Sequence, residues 1–355
     1  MTRRKRLLFA AAAIAIASLL TGSALLAVDV VMHSRFEKSA GYNIWGYRGP
    51  SLPSKREGEV RVAMLGGSTA FGYGVTWEQA IPAVLESELR KRPGLPPVTV
   101  ANLAYNNEGA YSFRYTLEDY LWMDYDVVLL YEGYNDVPFN PPDANTQVFR
   151  HESPIYRLTG YLPIFPMVFR EKAAALLNDG APSEAYAYDK KTVFRPGMTA
   201  RGAAGLLNVA AGAGQALEQQ LQGLSDAPPR SIPDDAATGC AHPWAPYCRS
   251  QLVVIEFALS RGKHVVVVGQ PFFPPNNKRS ARHLHQQAEL EKMLQLKLAG
   301  DRRVKYVATV TTVDLVNEDH SFDEMHLTVD GNRMVAAALA GPVAEVVAAL
   351  KETRP

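Results

Sequence analysis

Four short polar segments interrupt the apolar runs of this chain. Gly66-Gly67-Ser68-Thr69 follows the run Val60 to Leu65. Its small residues allow a tight turn that sets the Ser68 hydroxyl at the start of the next segment, with backbone N–H groups open to an anion. A second run, Val98 to Leu103, gives way to a polar stretch that holds Gly109 ahead of Ser112, and a third, Asp126 to Tyr131, ends in Glu132-Gly133-Tyr134-Asn135-Asp136. Near the end of the chain lies Asp323-Glu324-Met325-His326-Leu327. A hydroxyl nucleophile, an imidazole to take its proton, a carboxylate three positions from that imidazole and an amide that donates to an oxyanion are the parts that acyl transfer requires.

The elements that must position these groups follow from hydrophobic period. Val60 to Leu65, Val98 to Leu103, Asp126 to Tyr131, His264 to Val268 and Val304 to Val307 read as buried strands. Helical spacing runs through Glu78 to Arg92, Ser112 to Met123, Ser250 to Arg261, Ala281 to Leu298 and Val329 to Leu350. Strands alternating with helices predict a parallel sheet covered on both faces, with ligands at the carboxyl ends of the strands. Residues 137–245 break the rhythm: they are proline-rich, with helical candidates near Met167 to Leu177 and Ala203 to Leu224, and read as an insertion that covers one end of the sheet.

Gly66-Gly67-Ser68-Thr69, Gly109 in Gly-Ala-Tyr-Ser, Gly133-Tyr134-Asn135-Asp136 and Asp323-x-x-His326 resemble, in this order, the four blocks of the SGNH/GDSL hydrolase superfamily. The resemblance spans residues 42–136 and 250–350, and the approach segment Asn43-Ile44-Trp45-Gly46-Tyr47-Arg48-Gly49-Pro50 resembles the lead-in of membrane-anchored bacterial members. It implies a three-layer α/β/α fold with a flavodoxin-like parallel sheet of about five strands. It further implies Ser68 as nucleophile, His326 as general base, Asp323 as the residue that orients His326, and an oxyanion hole from the Ser68 and Gly109 N–H groups and the Asn135 amide. No metal or organic cofactor is implied. The chain departs from the commonest family pattern at Gly67, where an aspartate usually precedes the serine, and at Asn106-Asn107-Glu108, which lengthens the spacing from Asn102 to Gly109.

Compartment comes from the N-terminus. Leu7 to Val28 carries no charge and is long enough to cross a bilayer, and Arg3, Arg4, Lys5 and Arg6 precede it. The positive-inside rule then places the N-terminus in the cytoplasm and the rest outside it, as a single-pass periplasmic protein. A cleaved signal with Gly22-Ser23-Ala24 as its site is the competing reading; apolar character continuing to Val30, Val31 and Met32 favours an anchor. The formal charge of +1 thereby divides: without those four of the 37 basic residues, 33 stand against 36 acidic ones. No basic patch or recognition motif points to nucleic acid. The resulting organisation is a tag and anchor in 1–32, an arm in 33–58 whose Tyr42, Trp45 and Tyr47 dock on the domain, a hydrolase domain in 59–136 and 246–355, and the insertion in 137–245.

The expected function is a serine esterase acting on an acylated small molecule or glycan, most simply an acetylated cell-envelope glycan. O-acyltransfer by the same residues remains open, and so does a non-catalytic assembly or binding role on the same scaffold. Cys240 and Cys248, eight positions apart, form either a disulfide in an exported chain or two free thiols, and only His242 lies near enough to suggest zinc. The missing lysine excludes a phosphate loop around Ser68. His320 rivals His326 by spacing, but its position relative to the last helix favours His326. His283 and His285, two apart on a helix, read as solvated residues, and Asp136 as a turn or hydrogen-bonding residue. Phe139, Phe272 and Phe273 either line an acyl or sugar pocket or pack the insertion.

Overall fold

The computed structural model describes residues 2–36, 42–137, 149–165 and 238–353. The helices expected near Met167 and Ala203 lie outside the described residues, as does Phe139. The chain divides into two compact units, one holding Met1–Phe36 and Ser153–Asp226, the other Glu37–Glu152 and Ala227–Pro355.

In the first unit, helix α1 (Arg3–Phe36) is long and apolar enough to cross a membrane, a property that signal sequences share. It continues past the charge-free run, because Asp29 and His33, one turn apart, are satisfied by the segment around the short helix Pro154–Thr159. The Asp29 carboxylate accepts from the Tyr161 hydroxyl and the Phe165 N–H, and His33 Nε2 lies 2.8 Å from the Leu162 carbonyl.

The second unit is built on five parallel strands: β1 (Val60–Gly66), β2 (Val98–Asn102), β3 (Val127–Tyr131), β4 (His264–Gly269) and β5 (Val304–Ala308), in the order β2-β1-β3-β4-β5. Every residue of β1 and β3 is buried, which is why these strands read as near-continuous apolar runs without alternation. Helices α2 (Ser68–Phe71), α3 (Ile81–Arg90), α4 (Ala110–Asp119), α5 (Ala245–Ser260), α6 (Ser280–Leu298) and α7 (Val329–Thr353) complete it. Helices α3 and α7 pack on each other against one face, and α4, α5 and α6 against the other. Right-handed crossovers from this strand order require that division. Helix α7 would also be long enough to span a membrane, but half of its most apolar window is buried, consistent with a covering layer.

Local signals set the helix ends. Thr76 and Gln79 form a reciprocal capping box ahead of α3, and Pro82 occupies its first turn. Ile81, Leu85 and Leu89, four apart, form its buried stripe. Helix α5 begins five residues earlier than Ser250, with Pro246 in its first turn, so Cys248 is helical. Cys240 and Cys248 are joined as a disulfide, with Cα atoms 6.5 Å apart.

From Tyr42 on, the expected arm belongs to the sheet unit, whereas residues 33–36 continue α1 in the first unit: Tyr42, Tyr47 and Arg48 are buried, while Trp45 stays 37% exposed and docks through its carbonyl on the Tyr120 hydroxyl. The stretch expected as one insertion contributes to both units. Its helix Phe149–Glu152 lies with the sheet, where the Arg150 guanidinium donates to the Gly46 and Leu103 carbonyls. Because Leu85 is fully buried on α3, Leu85→Ala should destabilise the sheet unit by about 3 kcal/mol in denaturant unfolding; a loss below about 1 kcal/mol would show that α3 is not tightly packed.

Candidate active site

The strand order reverses between β1 and β3, and the loops that follow these two strands meet there, at the position where open parallel sheets gather ligands. The approach is so close that β1 must end in glycines. A Cβ on Gly66 would lie 2.4 Å from the Tyr131 carbonyl oxygen, and one on Gly67 would lie 1.9 Å from Asn135 Nδ2. An aspartate at Gly67, as in the pattern that the sequence resembles, would bring its Cβ onto the Asn135 amide. Ser68 therefore opens α2 directly, 6% exposed, in a first turn whose N–H groups have no intrahelical acceptors. The other end of α2 is held from the arm. Buried Arg48 donates to the carbonyls of Phe71 (2.6 Å), Gly72 (2.7 Å) and Val75 (2.5 Å), and Asn102 Nδ2 reaches Phe71 O at 3.2 Å.

His326 Nε2 lies 2.8 Å from Ser68 Oγ, across a sequence separation of 258 residues. Its Nδ1 lies 2.7 Å from Asp323 Oδ2, and Asp323 Oδ1 accepts from the backbone N–H groups of His326 (2.8 Å) and Met325 (3.2 Å). Glu324, between them, adopts a left-handed conformation with φ 64° that an Asn277 side-chain bond at 2.7 Å holds. Burial alone would raise the Asp323 carboxyl. The His326 side-chain bond, its charge and the two N–H donors outweigh burial and hold it below its ordinary value, so it is ionised when His326 needs it. The rival His320 is not at this site; its carbonyl accepts the Thr328 N–H.

Opposite His326, the segment after β2 and the loop after β3 converge on the Ser68 turn. Glu108 N–H bonds the Tyr105 carbonyl, and Asn107 takes a left-handed φ of 62°. This tight turn absorbs the extra residues between Asn102 and Gly109. Gly109 is buried and caps α4. Asn135 Nδ2 donates to the Glu108 carbonyl at 2.8 Å, and a primary amide has a second N–H to offer. Ser68, Gly109 and Asn135 thus come from three strand ends to one place.

Behind these groups lie three buried acids, of which sequence reasoning singled out Asp136, as a turn or hydrogen-bonding residue, but not Glu132 or Glu108. The Glu132 carboxylate is buried and accepts the N–H groups of Gly67, Gly133 and Asn135, the last at 3.0 Å, so one side chain ties the Ser68 turn to the Asn135 loop. Asp136 accepts the Ala110 N–H at 3.1 Å, as an acid at the first turn of α4. Burial, and then the charge of Asp136, push Glu132 well above the usual carboxylate range; burial raises Asp136 to about 7. Glu108 is raised by burial too, against the opposing pull of Arg150 at 3.5 Å and bonds from Ser112 and Thr116, both 2.8 Å.

His283 corrects the expectation of a solvated residue. It is fully buried among Tyr134, Phe272 and Phe273, and burial lowers it to about 3, so it is a neutral core residue; His285 is the half-exposed one. Phe273 packs on Tyr134 and His283 in the same core. Among the described residues no cluster of His, Cys, Asp or Glu has the arrangement of a metal site.

No protein-family model matches this chain, and no curated protein matches it. Similar solved structures include a member of the lipolytic G-D-S-L family from Veillonella parvula, 10% identical, with 79% of this chain and 97% of that one covered at a TM-score of 0.41. A putative acylhydrolase from Bacteroides fragilis is 12% identical over 84% and 92% of the two chains, at a TM-score of 0.41. A catalytic mutant of an acetylxylan esterase from Geobacillus stearothermophilus is 10% identical over 83% and 96%, at 0.43.

The raised acids have a consequence for stability. A carboxyl whose folded value exceeds its unfolded one binds more protons when folded, so its contribution is full at low pH and is lost as pH rises through the folded value. For Asp136 the window runs from about 4 to about 7. Asp136→Asn, which keeps the acceptor for Ala110, should flatten the fall of melting temperature across that window; equal slopes for variant and wild type would show that Asp136 is not held protonated.

Proposed function

We propose that this chain is a serine esterase that works through an acyl-serine. The observation that carries the reading is the continuous chain Asp323–His326–Ser68, with contacts of 2.7 and 2.8 Å. In this reading His326 Nε2 takes the Ser68 proton as Oγ attacks the ester carbonyl, and Asp323 holds the Nδ1 proton and stabilises the imidazolium. The Ser68 and Gly109 N–H groups and the second Asn135 N–H stabilise the oxyanion, each donor contributing about 3 kcal/mol. Collapse of the tetrahedral intermediate breaks the bond to the leaving oxygen, which receives the proton from His326. Water, deprotonated by His326, then releases the acid and restores Ser68. Transfer differs only in that a sugar hydroxyl replaces this water.

The compartment supports the substrate class. With α1 retained as an anchor and the basic residues on the cytoplasmic side, the sheet unit works outside the cytoplasm, where acetylated envelope glycans are the ester-bearing polymers it meets.

Wild-type protein should hydrolyse p-nitrophenyl acetate and react with a fluorophosphonate probe. Ser68→Ala should lose labelling and at least about a thousandfold in turnover. Absence of both turnover and labelling in the wild type would end the esterase reading, and labelling that survives in Ser68→Ala would move the nucleophile elsewhere.

A further inference from the structure

Helix α1 leaves its charge-free run at Asp29 with two polar side chains on one face. Asp29 and His33, one turn apart, are 3% and 1% exposed, and the segment that follows the short helix Pro154–Thr159 holds both. The Tyr161 hydroxyl and the Phe165 N–H donate to the Asp29 carboxylate, and His33 Nε2 donates to the Leu162 carbonyl at 2.8 Å. His33 Nε2 also lies 3.4 Å from Asp29 Oδ2. Leu162 and Ile164 are buried too, so this segment is fastened to α1 at one level. That level follows from α1 itself. The residues Leu7 to Val28 rise about 33 Å as a helix, close to the roughly 30 Å thickness of a bilayer's hydrocarbon. Asp29 then stands at the boundary between acyl chains and headgroups, where a carboxylate is tolerated when its oxygens are bonded.

Whatever is bonded to Asp29 stands at the same boundary. The helix Pro154–Thr159 brings two apolar side chains there: Ile155 and Leu158, three apart and so on one face, are 42% and 86% exposed, while Tyr156 is buried. A lone exposed leucine means little on a surface in water, but at this level the surroundings are acyl chains and headgroups. Helix α1 stays apolar past Asp29 as well, with Val30 and Val31 exposed on faces that Asp29 and His33 do not use. We infer that the helix Pro154–Thr159 is a lipid-docking surface, with Ile155 and Leu158 inserted at the headgroup boundary on the side of the membrane away from the basic residues. It gives the chain a second contact with the bilayer, and its bonds to Asp29 and His33 fix the depth at which α1 sits. The inference rests on α1 being a retained anchor and is independent of the acyl-serine.

Full-length protein in nanodiscs of phosphatidylcholine and phosphatidylglycerol carries the test, with a nitrobenzoxadiazole label on Leu158→Cys, on Ile155→Cys, or on Leu19→Cys as a reference within the charge-free run. Cys240 and Cys248 are bonded to each other, so the introduced thiol takes the label. Emission from the Leu158→Cys and Ile155→Cys labels should shift to the blue relative to the label in buffer. It should be quenched by lipid with a doxyl group near the headgroup end of its acyl chain, and not by aqueous iodide. The two variants repeat one measurement, which covers the case that one does not fold. Quenching of both by iodide while the Leu19→Cys label stays shielded would put the helix in water. Labels that neither iodide nor doxyl lipid reaches would mean that protein covers the helix, whether another stretch of this chain or a second copy. Either result overturns the proposal. A Leu19→Cys label that iodide quenches, or that is lost with a cleaved segment, would remove the anchor reading and the proposal with it, whatever the esterase assays give.

Discussion

Everything at the candidate site depends on how near β1 can come to the loop after β3. The Gly66-Gly67 backbone runs against the Tyr131 carbonyl and the Asn135 amide with no space for a side chain. That contact puts the first turn of α2 beside Asn135 and brings Gly67 within reach of the Glu132 carboxylate. Any Cβ at Gly67 would separate Ser68 from the amide and open the turn. The tightness of one parallel pairing, β1 on β3, thus sets the position of the Ser68 hydroxyl relative to the Asn135 amide.

Rigidity at such a contact needs buried polar groups, and these are costly unless they are bonded. Three kinds of compensation operate behind the site. Glu132 and Asp136 avoid two adjacent charges by remaining at least partly protonated while still accepting backbone N–H groups. Glu108 keeps Ser112, Thr116 and the Arg150 guanidinium as partners. Arg48 spends its charge on the carbonyl end of α2, where unpaired acceptors gather. Each fixes backbone beside Ser68, Gly109 or Asn135, and an apolar replacement would lose those bonds even where it preserved volume.

The strands were legible to within a residue or two, because buried parallel strands need unbroken apolar runs and turn glycines end them. Ser68, Asp323 and His326 were legible as residue types at strand and helix boundaries, and the fold brings them together. Less could be read where meaning arises only in three dimensions. Arg48 stood within a quoted segment, and Glu132 within another, but nothing local says that a charged side chain will be buried. His283 read as a surface residue by helical spacing; its neighbours Tyr134 and Phe273 come from other strand ends, so no local pattern reveals its burial. Helix α5 begins earlier than expected because Pro246, although it cannot donate a backbone hydrogen bond, suits a first helical turn.

The arm illustrates why sequence segments and structural units need not coincide. By composition, residues 33–58 connect an anchor to a domain. By contact, the part from Tyr42 onward belongs to the site: Asn43 closes a turn by bonding Gly49 O and the Trp45 N–H, that turn carries Arg48, and Arg48 caps the helix that Ser68 begins. A boundary at residue 58 would remove Arg48 from the carbonyl end of α2. The segment from Asn43 to Arg48 therefore helps to hold the Ser68 turn in place.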